Sequence, residues 1–267
     1  MSRFKSSWHF AIFCLEWRII ILEIWMSKLS QHNPLIRQYI QQTGLDTVWQ
    51  LDDHEIEREV QWLEHFLDEA VRPEVRWSYL VPELGEGGAC SLFGQLADQP
   101  YDLTVILGGQ STETEQALQL LQLFCQAFET RTGMEWFGIY QARSNREQQA
   151  VLVKLAYYGA PSRPEFPLTP DFARMSNNST VGLTGKARVI NDIPEYLAQG
   201  GDYYTCDPKV LAEACLPLFD QSGRIVGIID AEAFQKDVFN PAALALLIAI
   251  CLMVPAYLPA ADQPCSD

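Results

Sequence analysis

The feature that most constrains the fold is a hairpin pattern near the C-terminus, in residues 206–234. Two apolar runs, LAEACLPLF and RIVGIIDAEAF, flank the turn sequence DQSG. Gly223 can adopt the positive φ that a tight turn needs, and the flanking runs have the composition of strands. The pattern therefore predicts two antiparallel strands joined by a short turn.

Acidic residues inside these two apolar runs indicate a polar site on the sheet. Because side chains alternate along a strand, Asp230 and Glu232 share one face, and Glu213 and Cys215 share a face of the partner strand. Carboxylates in such runs are costly unless they are paired. The acids belong either to a sheet face exposed to water or to a pocket. In the second case Glu213, Asp230 and Glu232 form the floor and Cys206 lies on a loop at the rim.

Charge and histidine content exclude several classes of function. The net charge is −15 and the pI is about 4.6, which argues against nucleic-acid binding, because phosphate backbones need a basic face. All four histidines lie within the first 65 residues. Histidine bases, Ser-His-Asp triads, most zinc sites and haem ligation are therefore excluded from residues 66–267, unless the N-terminal part folds over them.

The seven cysteines show neither a CxxC motif nor the spacing of metal ligands. An odd number of cysteines in a chain of this size fits a reducing compartment better than a secreted disulfide scaffold. We therefore expect a cytoplasmic protein with no metal and no cofactor.

Residues 1–25 form an apolar, tryptophan-rich extension. Glu16, Arg18 and Glu23 interrupt it, which argues against a membrane span of about 20 apolar residues. Met26 opens an ordinary polar sequence, so one hypothesis is that Met26 is the true start. The alternative is a helix that lies in the membrane interface.

The rest of the chain divides into a helical and turn-rich region at 26–110, a compact unit at 111–260 and a loose tail at 261–267. The first region ends in short strand-like runs that predict an antiparallel ribbon. The compact unit mixes helices and strands, so it belongs to the α+β class. Its last helix is apolar on nearly every side, which predicts burial within the domain or in a dimer. A homodimer through the N- and C-terminal helices is one expectation.

The order helix, two strands, loop, short strand, loop, two strands, helix resembles a GAF domain, from about residue 111 to 258. Within that superfamily the chain is most similar to the free methionine-(R)-sulfoxide reductases. The resemblance is carried by EWFGIY at 135–140, GLTG at 182–185, CD at 206–207, Glu213 seven residues after the cysteine, LPLFD at 216–220 and GRIVGIIDAE at 223–232. It implies an antiparallel sheet with helices on its back and a small-molecule pocket on its front.

The resemblance also implies roles for residues. Cys206 occupies the position of the catalytic cysteine that attacks the sulfoxide sulfur, and the acids Glu213, Asp230 and Glu232 fall where that family has its pocket acids. An aromatic residue near the substrate methyl group corresponds to Trp136, with Tyr140 on the same face. Physical chemistry agrees in part: carboxylates can pair with the ammonium of a free amino acid, and a protonated carboxyl can activate a sulfoxide. An acidic cluster would, however, hinder formation of a thiolate.

The chain departs from the reductase pattern at the other cysteines. Thr184 stands where the family has one of them, and no cysteine lies near Arg174, where another is expected. Glu232 also replaces a shorter acid. Cys215 could act as a resolving residue for a sulfenic acid at Cys206.

Three functions follow from these observations. The first, which the missing cysteines favour, is a binding module with a pocket for a polar, amino-acid-like ligand. The second is a thiol-dependent reductase of free methionine-(R)-sulfoxide that uses Cys206. The third is a structural or dimerisation domain, which would explain the last helix but not the clustered acids.

Overall fold

The computed structural model of the protein describes residues 34–85, 91–203 and 207–261. The predictions for the extension at 1–25, for a start at Met26, for Cys206 and for nearly all of the tail lie outside these residues.

A six-stranded antiparallel sheet forms the centre of the molecule and confirms the predicted α+β class. Its strands are β5 (Trp136–Ser144), β6 (Ala150–Tyr158), β7 (Glu165–Pro167), β8 (Arg188–Ile190), β9 (Ala212–Phe219) and β10 (Ile225–Ala233). Their order in the sheet is β7-β6-β5-β10-β9-β8. The predicted hairpin is β9–β10, and Gly223 in its turn has a φ of 82°. A side chain there would strain the backbone.

Three long helices cover the back of the sheet. They are α2 (Asp53–Glu69), α4 (Thr112–Thr132) and α8 (Pro241–Met253). Helix α8 begins with the Asn240 cap, whose side chain accepts a hydrogen bond from the Ala243 N–H, and with Pro241 in its first turn. Its residues from Leu244 to Cys251 are at most 2% exposed.

Helix α8 is therefore buried within the chain, because α2 packs on its outer side and β9 on its inner side. A homodimer through the terminal helices stays a prediction. Within the three described ranges, no helix combines the length and the apolar character that crossing a membrane requires.

The N-terminal region and the sheet share one hydrophobic core. Helix α1 (34–43) docks on the β9–β10 hairpin, where the Tyr39 hydroxyl donates to the Pro217 carbonyl over 2.9 Å. A single cluster of buried apolar side chains includes residues from both regions, from Ile36 in α1 to Val254 after α8. Residues on both sides of the boundary predicted at 110 thus stabilise each other.

The ribbon predicted in the N-terminal region is present as two antiparallel pairs. Strand β1 (Ser78–Tyr79) pairs with β4 (Tyr101–Asp102), and β2 (Pro82–Leu84) pairs with β3 (Ser91–Leu96). A short helix, α3 (Leu103–Ile106), follows. The Tyr79 hydroxyl donates to the Lys154 carbonyl over 2.7 Å, which fixes the ribbon to strand β6.

Residues 159–187, which show no sequence periodicity, form the edge strand β7 and two helices at the front of the sheet. The helices are α5 (Pro170–Ala173) and α6 (Asn177–Thr184). The Ser176 side chain caps the start of α6, and Gly185 ends it with a φ of 65°. Helix α6 contacts β9 and β10, and a further helix, α7 (Ile193–Ala198), follows β8.

Candidate functional site

Strand register brings the predicted acids to one face of the sheet. Glu232 on β10 lies directly opposite Glu213 on β9 and opposite Trp136 on β5. Asp230 lies opposite Cys215 on one side and Gly138 on the other. Directly opposite residues in antiparallel strands point to the same face. Glu213, Asp230 and Glu232 therefore lie on one face of the sheet, as the alternation of side chains along the two strands predicts.

Glu213, Asp230 and Glu232 line one small cavity of about 20 Å³ beneath helix α6. Glu213 and Asp230 are 4% and 3% exposed, whereas Glu232 is partly exposed. The Asn178 side-chain amide donates to Asp230 Oδ2 over 2.8 Å. The other oxygen, Asp230 Oδ1, is buried without any hydrogen-bond partner.

Burial raises the pKa of all three carboxyl groups, and the charges of neighbouring acids raise that of Asp230 and Glu232 further. For Asp230 the first cause is burial and the next are the charges of Glu213 and Glu232. The pKa of Glu232 is raised to about 8 by burial and by the charges of Glu213 and Asp207. Burial also raises the pKa of Glu213, opposed by hydrogen bonds from Tyr203 and Asn177. Three ionised carboxylates at this site would therefore repel one another, and the raised pKa values favour protonation.

A second cavity of about 300 Å³ adjoins the first, and Glu232 lines both. The β2–β3 ribbon forms one wall through Pro82, Leu92 and Leu96. Most of the lining is apolar, and its polar residues include Glu135 and Asp207. Sequence analysis assigns no function to the ribbon, because short apolar strands that form a cavity wall carry no recognisable motif.

Trp136 forms part of the wall of this larger cavity and is 4% exposed. Its indole N–H donates to the Ala160 carbonyl over 3.0 Å. A Cβ atom at Gly138 would come within 2.4 Å of the indole ring, so this glycine leaves the space in which the ring lies. Tyr140, which the sequence also predicted for the site, is 1% exposed and lines neither cavity. Burial and then the charge of Asp230 raise its pKa.

Lys154 on β6 is a buried cation that sequence reasoning missed. Its ammonium donates to the Ser162 carbonyl over 2.8 Å and to Ser162 Oγ over 2.6 Å. It lies 4.0 Å from the ring centre of Tyr157 and 5.0 Å from that of Tyr79. Its charge lowers the pKa of Asp230 and Glu232, so it offsets part of their repulsion.

The two cysteine predictions have different outcomes. Cys206, the predicted nucleophile, lies outside the described residues. Its neighbour in the sequence, Asp207, lines the larger cavity. Cys215 is fully buried, and burial followed by the charges of Asp230 and Glu213 raises its pKa. Its role as a resolving residue stays a prediction. In the described part of the chain, no group of three or more potential ligand side chains is arranged to hold a metal ion.

Comparison with solved structures gives distant similarities to several proteins. The type II free methionine-R-sulfoxide reductase from Thermoplasma acidophilum is 23% identical with a TM-score of 0.46, over 54% of this chain and 94% of that one. The free methionine-R-sulfoxide reductase from Neisseria meningitidis is 19% identical with a TM-score of 0.43, over 55% and 81%. The GAF domain of the Acinetobacter phosphoenolpyruvate-protein phosphotransferase is 13% identical with a TM-score of 0.41, over 53% and 81%.

Among curated protein sequences, none matches this chain significantly. Comparison with protein families matches residues 116–254, just over half of the chain, to the GAF domain. The match covers helix α4 from residue 116 onward, the whole six-stranded sheet and helix α8. The chain therefore belongs to the GAF domain family.

Proposed function

We propose that the front of the sheet binds a small molecule that carries an ammonium group and is amino-acid-like in size. The observation that carries this proposal is Asp230 Oδ1, a buried carboxylate oxygen without a partner, beside Glu213 and Glu232. A buried polar atom without a partner is costly and calls for an explanation, and a donor supplied by a bound ligand is the explanation proposed for this one.

An ammonium group suits the small cavity in both size and chemistry. A space of about 20 Å³ accommodates one group the size of a water molecule. An ammonium has three N–H donors, and the cavity presents three carboxyl groups. A bound cation would also lower the raised pKa of these groups, because an opposite charge favours their ionised form.

The larger cavity offers room for the rest of the ligand. Its volume of about 300 Å³ lies at the lower end of the range for small-molecule sites, and its lining is mostly apolar. Glu232 lines both spaces, so a head group bound by the acids would direct its apolar body along Trp136.

The proposal predicts that an amine stabilises the protein and that its uncharged counterpart does not. The probes are 3-(methylthio)propylamine and 3-(methylthio)propanol, which differ only in the head group. At ten times its dissociation constant, the amine is expected to add about 1.4 kcal/mol to the free energy of unfolding. For a protein of this size we expect the melting temperature to rise by about 3 °C.

The matched variant is Glu232→Gln, which keeps the shape of the side chain and removes its charge. It should abolish most of the rise with the amine. Equal shifts with the amine and the alcohol, or an undiminished shift in Glu232→Gln, would contradict ammonium recognition by these acids.

A second candidate function is the reduction of free methionine-(R)-sulfoxide. The observation in its favour is that Asp207, the residue after Cys206, lines the same cavity as Trp136 and Glu232. In this reaction the Cys206 sulfur attacks the sulfoxide sulfur and takes its oxygen, which leaves the sulfide and a sulfenic acid. Two thiols then return the cysteine, with release of water and formation of one disulfide.

The reductase reading predicts consumption of the R epimer when the protein is incubated with methionine sulfoxide and a thiol reductant. Turnover that Cys206→Ser abolishes would support the enzyme.

Peptide mapping after peroxide treatment shows whether Cys215 or an external thiol reacts with the sulfenic acid at Cys206. A disulfide between Cys206 and Cys215 would support internal resolution, and its absence would exclude that role for Cys215. No turnover, together with stabilisation by the amine, would support the binding module.

A further inference from the structure

The side chains that line the two cavities are acidic, apolar or neutral. Among the described residues of both linings, no side chain is cationic. The two internal stretches that are not described, 86–90 and 204–206, contain no lysine, arginine or histidine. The acids of the linings are Glu135, Asp207, Glu213, Asp230 and Glu232.

Two cations act on the acids of the small cavity, Lys154 on Asp230 and Glu232 and Arg188 on Glu213, and both are held by other partners. Lys154 is 0% exposed, and its ammonium donates to Ser162. Arg188 is partly buried on β8 and donates to the Tyr196 hydroxyl over 2.6 Å. Arg188 lies opposite Cys215 and so on the same face of the sheet as Glu213, whose pKa its charge lowers, but it lines neither of the two cavities.

These observations bear on the carboxylate of an amino-acid ligand. In the zwitterion of an α-amino acid the carboxylate is bonded directly to the carbon that carries the ammonium. When the ammonium lies among Glu213, Asp230 and Glu232, the carboxylate lies within a few ångströms of Glu232 and Asp207. Like charges repel strongly in a partly dry cavity, and among the described lining residues no cation offsets that repulsion. The exposed Lys209, whose ammonium lies 5.8 Å from the ring centre of Phe234, is outside the lining.

We infer that the ligand is an amine without a carboxylate, with one positive charge on a primary ammonium and an apolar body that fills the larger cavity. This inference rests on the proposed function, because it assumes that the acids bind the ammonium. It goes beyond that function because it excludes free amino acids as preferred ligands. It also disfavours free methionine-(R)-sulfoxide as the substrate.

The inference can be tested with three probes that share one side chain. They are 3-(methylthio)propylamine, L-methioninamide and L-methionine, and binding to the full chain is measured by calorimetry at neutral pH. The amine and the amide are expected to bind at least tenfold more tightly than methionine. The amide separates the effect of charge from that of shape, because it keeps the bulk of the carboxylate.

The variants Glu232→Gln and Glu213→Gln complete the design, and unfolding curves confirm that each is folded. Both should weaken binding of the amine by tenfold or more. Methionine that binds as tightly as the amine, with loss in Glu232→Gln, would overturn the inference and leave ammonium recognition standing. Failure of all three probes to bind at millimolar concentration, or binding that neither variant weakens, would overturn both.

Discussion

Replacing Lys154 by methionine is expected to lower the free energy of unfolding by roughly 2 to 4 kcal/mol. The ammonium is fully buried, donates twice to Ser162 and lies against the rings of Tyr157 and Tyr79. Methionine keeps the length and the apolar stem of lysine, so the loss isolates the charge and its hydrogen bonds. The Ser162 oxygens would lose their buried donor, and the acids of the site would lose the nearest opposite charge.

Urea unfolding at neutral pH measures the effect, and Lys209→Met is the matched control. Lys209 is exposed, with its ammonium 5.8 Å from the ring centre of Phe234, so its replacement should change stability by about 0.5 kcal/mol or less. A Lys154→Met variant as stable as the control would mean that the cost of burying this cation cancels its interactions. A second expected result is a further rise in the pKa of Glu232, because the charge of Lys154 lowers it.

Lys154 also shows why part of the site was not predictable from the sequence. Tyr157 on β6 lies opposite Gly138, on the front face of the sheet. If side chains alternated without interruption along β6, Lys154, three residues earlier, would lie on the back face. A bulge between Ile139 and Tyr140 shifts the register, so that Tyr140 faces Lys154. One extra residue reverses the face of every side chain that follows. No local sequence signal gives the position of this bulge.

The acids were predictable because β9 and β10 pair regularly from Gly227 to Ala233, beyond the register shift between Ile225 and Gly227. Asp230, Glu232 and Glu213 lie in apolar runs joined by a turn with Gly223, and parity then fixes their common face. The polar groups that complete the site come from stretches without periodicity. Asn178 lies on α6 and Tyr203 follows α7, and only the tertiary structure brings them to the acids. The role of such residues depends on contacts with residues that are distant in the sequence.

Without added ligand, Asp230→Asn is expected to make the protein more stable above neutral pH and to reduce the dependence of its stability on pH. In the wild type, the folded-state pKa values of Asp230, Glu213 and Glu232 are raised above their ordinary values. The folded state therefore binds more protons than the unfolded state between about pH 4.5 and pH 8, so stability falls as pH rises through this window. Each such group can contribute up to about 1.4 kcal/mol per pH unit.

Asparagine at position 230 removes one of these charges while it keeps an oxygen that can accept from Asn178. Urea unfolding at about pH 5 and about pH 8 should therefore show a smaller loss of stability in the variant than in the wild type. The matched control is Asp220→Asn, in the turn of the same hairpin. Hydrogen bonds from Ser222 and Arg224 lower the pKa of Asp220, so its charge stabilises the fold above its unfolded pKa. That substitution should destabilise the protein at neutral pH, the opposite sign from Asp230→Asn. If both variants lost stability alike near pH 8, the charge of Asp230 would be compensated within the chain, and the acids would have no need of a cationic ligand.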